Sequence, residues 1–166
     1  MSRICLFPGT FDPITLGHTD IIQRALDLFD NLVIGIGVNS NKQPMFPIEK
    51  RIAWCKRIYQ DDPRVSVHSY EGLTIDFCKQ LGARYILRGI RFTGDLEYEK
   101  SIADVNRKLD ASVETIFLTP SPAWSTLAST LVREVLRYGG DVSPFIPEVI
   151  LKDLRHTVQS PKKDRS

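Results

Sequence analysis

The chain has 166 residues, 42% hydrophobic and 25% charged, which suits one globular domain around one core and excludes disordered, collagen-like and coiled-coil architectures. Its net charge is only +2, and the one compact basic cluster, Lys162, Lys163 and Arg165, sits at the end of the chain, so the pattern argues against a dedicated nucleic-acid binder. The three cysteines, Cys5, Cys55 and Cys78, are odd in number, lack CxxC spacing and lie among apolar residues, which suits buried thiols rather than a disulfide framework or a zinc site. No apolar stretch approaches the ~18 residues that span a bilayer, and no signal-peptide pattern precedes the first strand-like segment, so no membrane partner and a cytoplasmic location are expected.

Apolar runs alternate with helical periodicities along the chain. Arg3–Phe7 reads as a buried strand, Ile14–Phe29 as a helical spacing with apolar residues at Ile21, Ile22, Ala25, Leu26, Leu28 and Phe29, and Leu32–Val38 as a second strand. Pro47–Tyr59 is helical, Arg64–His68 alternates as a strand, and Leu73–Leu81 is a short helix closed by Gly82. Arg84–Leu87 gives a fourth strand, Asp95–Leu109 a helix with acidic residues in its first turn, and Val113–Leu118 a fifth strand. Leu127–Tyr138 and Pro144–Leu154 complete the helices. Residues 1–155 form one expected domain and 156–166 an expected flexible tail. This alternation predicts an α/β fold, a doubly wound five-stranded parallel sheet of Rossmann-like type, whose ligands bind beyond the carboxyl ends of the strands.

That rule selects four loops. The first, Pro8-Gly9-Thr10-Phe11-Asp12-Pro13-Ile14-Thr15-Leu16-Gly17-His18, leads into a helix start at about Gly17–His18, capped by Thr15, where free backbone N–H groups favour an anion; His18 either faces bound phosphate or merely packs, and the glycines and Thr10 at this strand end favour the first. The second, Asn39 to Pro44, carries Lys42, which is either solvated or a phosphate ligand; the nearby Gly35-Ile36-Gly37 lacks the third glycine of a dinucleotide fingerprint and reads as close packing. The third, Arg88-Gly89-Ile90-Arg91, places two forked cations at a strand end, suited to phosphate oxygens or, alternatively, to pairing with Asp95 or Glu99. The fourth runs from Thr119 to Arg133; Ser129 and Thr130 suit either a helix cap or a nucleotide's phosphates, and Trp124 either the core or a base. Walker A, HExxH and nucleophile-elbow motifs are all missing from the sequence, so phosphate holders stand without an acid/base pair or covalent nucleophile. Phosphoryl-type transfer can proceed in that way, by positioning and charge stabilisation.

Thr15-Leu16-Gly17-His18 resembles the T/HxGH signature of the nucleotidyltransferase superfamily, and Ser129-Thr130-Leu131-Val132-Arg133 resembles its second signature. With PGTFDPITLGH, NKQPMF, RGIR followed by DLEYE, and PSPAWSTLAST, the chain is most similar within that group to the bacterial phosphopantetheine adenylyltransferases, over roughly residues 3–153. The resemblance implies adenylyl transfer from ATP to 4′-phosphopantetheine with Mg²⁺, a homohexamer, and feedback inhibition by coenzyme A. By motif position it assigns the acceptor to Thr10, Lys42, Thr74 and Arg88, and transition-state stabilisation to His18, with Thr10 and Lys42 as its catalytic companions. It assigns ATP to Thr10, Phe11, His18, Gly89, Ile90, Arg91, Glu99, Trp124, Ser125, Thr126, Leu127, Ala128, Ser129 and Thr130, and no protein ligand to a metal. Two positions depart from the family pattern: Thr74 stands where Leu or Met is usual, and Ala128 where serine is frequent. Relatives acting on nicotinamide mononucleotide or glycerol 3-phosphate carry His at the first signature position, where this chain has Thr15. A non-catalytic nucleotide-binding regulator is the rival from another class; the presence of Thr10 and His18 argues against it.

Overall fold

The computed structural model describes residues 2–38 and 43–159. Five strands, β1 (Ile4–Gly9), β2 (Asn31–Gly37), β3 (Val65–Tyr70), β4 (Tyr85–Gly89) and β5 (Glu114–Leu118), form an all-parallel sheet in the order β3-β2-β1-β4-β5. Helices α1 (Leu16–Ala25), α2 (Ile48–Ile58), α3 (Thr74–Leu81), α4 (Thr93–Leu109), α5 (Ser129–Arg137) and α6 (Glu148–Gln159) flank it. The sheet is buried on both faces, which is why β1 and β2 read as continuous apolar runs. Successive residues of β1 serve different layers: Cys5 and Phe7 join one core with Ile22, Trp54 and Val132, while Leu6 joins the other with Ile75, Cys78 and Ile86.

The element boundaries shift for local reasons. Thr15 is extended (ψ 168°) and stands at the N-cap as expected, so within the helical spacing from Ile14 the helix α1 itself starts at Leu16, one residue before the expected Gly17–His18. A 3₁₀ turn at Pro122–Trp124 and an extended Ala128 (ψ 145°) delay α5 to Ser129. Helix α6 starts only after Pro147 and continues to Gln159, so His156–Gln159, expected in the tail, are helical. Gly82 closes α3 in the left-handed region (φ 65°), with Ala83 N–H donating to the Cys78 carbonyl, as its expected cap role requires. Asp153 on α6 accepts from Lys50 Nζ and Trp54 Nε1, each at 2.8 Å, and so fastens α6 to α2.

The strand order reverses between β1 and β4. Their ladder is short, pairing Cys5 with Tyr85 and Leu6 with Ile86, whereas β1 and β2 stay paired from Ile4 to Gly9. Beyond Leu6 and Ile86 the two central strands part, and the first and third loops flank the opening. The fold class expected from the sequence is the fold observed.

Candidate active site

A cavity of about 910 Å³ lies over the carboxyl ends of the strands. Its walls include Thr10, Phe11 and His18 from the first loop and α1, Tyr70 at the end of β3 and Thr74 at the start of α3, Arg88 and Gly89 at the end of β4, and Arg91 and Glu99 beyond it. Trp124, Leu127, Ala128, Ser129, Thr130 and Arg133 close the far side. Thirteen of the sequence-expected residues therefore meet around one space, those just named apart from Tyr70 and Arg133.

The first loop leaves β1 through a strained corner. Phe11 has φ 45°, a left-handed value rare for a non-glycine residue, and it is only 1% exposed. Its ring packs edge-on against Phe7 at 5.4 Å and tilted against His18 at 5.1 Å. The peptide after Asp12 is cis, into Pro13. Asp12, 4% exposed, accepts from Met45 N–H (2.8 Å, Oδ2) and Phe46 N–H (2.9 Å, Oδ1), which ties this corner to the segment before α2.

His18 stands in the first turn of α1, where helix N–H groups and the macrodipole favour negative charge. Its Nδ1 accepts the Thr15 backbone N–H at 3.0 Å, and the Thr15 hydroxyl lies 2.8 Å from the same nitrogen. An Nδ1 that accepts carries no hydrogen, so in the neutral ring Nε2 is the N–H donor. Burial, then the positive charges of Arg91 and Arg88, push the ring pKa down to about 4. His18 is thus a neutral donor at pH 7.

Arg88 reaches across the parted strands: Nη1 donates to the Pro8 carbonyl at 2.6 Å, Nε to Glu99 Oε2 at 2.7 Å, and Nη2 to Glu99 Oε1. A guanidinium has five N–H groups, so two remain for an anion. Arg91 donates its backbone N–H and Nε to Asp95 Oδ2 at 3.1 and 3.2 Å. The pairing alternative raised for both arginines is therefore realised, and it fixes cations that still face the cavity. Glu99 is engaged by Arg88 through both oxygens.

At the start of α5 the two hydroxyls differ. Ser129 Oγ donates to the Pro13 carbonyl at 2.8 Å, whereas Thr130 Oγ1 accepts from Arg133 Nη2 at 3.3 Å and keeps its own hydrogen. Arg133 Nη1 also donates to the Asp12 carbonyl at 2.7 Å.

Three expected residues do not line the cavity. Ile90 is buried, with its N–H given to the Leu118 carbonyl; Ser125 donates to the Pro122 carbonyl; Thr126 is exposed beside it. Lys42 lies outside the described residues. Sequence reasoning missed Asp12, Arg51, Tyr70 and Arg133. Arg133 had a signal, one helical turn past Thr130, and Tyr70 ends a strand whose carboxyl end the ligand rule selects. Gly35 is the packing residue expected: a Cβ there would meet Leu6 Cδ1 at 2.7 Å, while Gly37 has only ordinary contacts. Among the described residues no cluster of three or more His, Cys, Asp or Glu side chains could hold a metal ion, and no described helix is long and apolar enough to cross a membrane.

Residues 6–135 match the cytidylyltransferase-like family model. A sheet that opens at its strand-order reversal, with a histidine donor at the first helix and cations at the neighbouring strand end, defines a nucleotidyltransferase of that class. Curated phosphopantetheine adenylyltransferases are its relatives: that of Bacteroides fragilis is 53% identical over 88% of this chain and 97% of its own length. Those of Flavobacterium psychrophilum (53%, over 89% and 97%) and Lachnoclostridium phytofermentans (45%, over 90% and 92%) agree. The chain belongs to the phosphopantetheine adenylyltransferase family.

Proposed function

We propose that the chain transfers the adenylyl group of ATP reversibly to 4′-phosphopantetheine, giving dephospho-coenzyme A and pyrophosphate in coenzyme A synthesis. The observation that carries the reading is the neutral Nε2–H donor of His18, fixed by Thr15 between a helix N-terminus and two guanidinium groups. An oxygen of the acceptor phosphate attacks the α-phosphorus in line, the bond from that phosphorus to the bridging oxygen breaks, and pyrophosphate departs with the electron pair. The attacking oxygen is already anionic, so no base is required. His18 donates to charge developing on the α-phosphate. Arg91, Thr130 and the α5 N-terminus hold the leaving phosphates, while Thr10, Arg88 and Lys42 orient the acceptor.

Mg²⁺ enters with the triphosphate. The two carboxylates that line the cavity, Asp12 and Glu99, each accept from protein donors through both oxygens, so phosphate oxygens and water would be its main ligands. Mg²⁺ bound in this way would supply charge neutralisation to the departing pyrophosphate.

A homohexamer belongs to the same reading. Tyr98, Ile102, Val105 and Leu109 recur along one face of α4 and are all exposed in the single chain, an apolar row suited to burial between subunits. Coenzyme A, which carries both halves of the product, is the proposed feedback inhibitor, and the cytosol the proposed location. Pyrophosphate release with ATP and a panel of 4′-phosphopantetheine, pantetheine, nicotinamide mononucleotide and glycerol 3-phosphate tests the function. Turnover is expected with 4′-phosphopantetheine, and preference for another acceptor overturns it.

A further inference from the structure

Arg51 projects from the first turn of α2 into the protein, with 5% of its surface exposed. Its Nε donates to the Phe46 carbonyl at 3.0 Å and its Nη1 to the Thr10 carbonyl at 2.8 Å. Asp12 acts on it through space, and burial is the larger influence on the guanidinium. A buried cation satisfied by main-chain carbonyls is not a device that stability alone favours, because an apolar side chain of similar volume commonly serves as well.

The two carbonyls show what the arginine controls. Thr10 opens the corner whose next residue, Phe11, holds a strained left-handed φ, and Thr10 faces the cavity. Phe46 closes the segment whose residues Gln43 and Pro44 line the same cavity. Asp12 holds the N–H groups of Met45 and Phe46, and Arg51 joins Phe46 to Thr10 through their carbonyls. Strained backbone persists only where its surroundings hold it. Arg51 is the side chain that grips the Thr10 peptide itself.

We infer that Arg51 is a positioning residue for the adenylyl transfer: by pinning the Thr10 carbonyl to α2 and to Phe46, it aims the Thr10 hydroxyl at the acceptor phosphate. This rests on the proposed function, because it acts through Thr10 on the acceptor side. Arg51→Met keeps the volume and removes both donors; Arg51→Lys keeps the charge and loses the fork.

The experiment is a kinetic cycle of Arg51→Met, Arg51→Lys, Thr10→Ala and the two doubles, with Tm measured on each. Arg51→Met is expected to lower kcat/KM for the acceptor by about 10²-fold, the effect of a small misplacement at the reacting centre, with KM for ATP within about threefold. Arg51→Lys should fall between it and wild type. Each double should be within about twofold of Thr10→Ala, since one residue acts through the other. Losses that multiply in the doubles, or a fall in Tm with unchanged kinetics of the folded protein, overturn the inference. Should Arg51→Met not fold, the Arg51→Lys cycle decides between the same two outcomes. Wild-type protein run alongside separates the two claims: no turnover of 4′-phosphopantetheine removes the function and this role with it, whereas turnover that the variants share removes only the role of Arg51.

Discussion

The backbone N–H of Thr15 meets Nδ1 of His18 at 3.0 Å, and that bond places the ring's hydrogen on Nε2. A threonine that caps the helix thus also sets the tautomer of the residue three positions on. The return arm of a capping box, normally made by Glu or Gln, is made here by an imidazole.

His18→Ala should lower kcat by about 10²–10³-fold, the range for one preorganised donor, while ATP affinity falls much less. His18→Gln and His18→Asn should recover part of the loss because each offers a neutral N–H. Steady-state kinetics beside direct ATP titration checks this. Equal turnover by Ala and wild type would reduce His18 to a helix-start residue, and no recovery by Gln or Asn would favour proton transfer.

The depressed His18 pKa has a stability signature. The folded value is about 4 and the unfolded value about 6.5, so between them the unfolded chain binds a proton that the folded chain refuses. Wild-type stability therefore declines as pH falls from 6.5 towards 4. His18→Gln lacks this contribution and should gain about 2 kcal/mol relative to wild type between pH 7 and pH 5. Urea unfolding of both proteins at several pH values measures the gap; parallel curves would contradict the assignment. Nitrogen NMR of the free protein should show Nδ1 unprotonated at pH 7.

Glu99 is held by Arg88 through both oxygens, and on the proposed assignment of Arg88 to the acceptor it should act on that side, whereas its motif position points to ATP. Removing one charge-assisted partner is worth about 1.5–3 kcal/mol, so Glu99→Gln should lower kcat/KM for the acceptor by roughly tenfold or more and leave ATP affinity within about threefold. Calorimetric titration with each substrate decides it. A loss confined to ATP would return Glu99 to the nucleotide.

Ser129 and Thr130 should separate cleanly. Ser129→Ala removes the bond to the Pro13 carbonyl and should lower stability by about 1 kcal/mol with little change in KM for ATP. Thr130→Val keeps the shape, loses the free hydroxyl hydrogen and should raise KM for ATP several-fold. The reverse pattern would exchange their roles.

Much of this is legible in the order of the residues. Strand-helix alternation with Val, Ile and Leu runs specifies a parallel sheet, and the strand-end rule then selects the loops before any side chain is placed. Thr10, His18, Arg88 and Arg91 emerge in that way. The roles of Asp12 and Arg51 do not, although Asp12 stands within PGTFDPITLGH, because Asp12 bonds main-chain N–H groups 33 and 34 residues away and Arg51 joins the nearby Phe46 carbonyl to one 41 residues away, pairings that spacing does not reveal. Nor does sequence reveal that Ser129 and Glu99 are already engaged, since a hydroxyl or carboxylate looks the same whichever partner it finds. The end of α6 departs from expectation for a third reason: the polar residues after Leu154 read as a tail, yet a helix already anchored by buried Ile150 and Leu154 continues through them at little expense.

The parting of β1 from β4 has a consequence for how the chain comes together. Strands β1, β2 and β3 are neighbours in both sequence and sheet, and so are β4 and β5, but β4 must cross the whole first half to lie beside β1. That long-range closure is the slow kind of event in folding, and it is also the event that brings Arg88 to Pro8. Neither half alone contains a cavity between the strands. Recovery of ATP binding during refolding should therefore lag behind recovery of helical signal and coincide with docking of the second half, making the ligand a reporter of when the two halves meet.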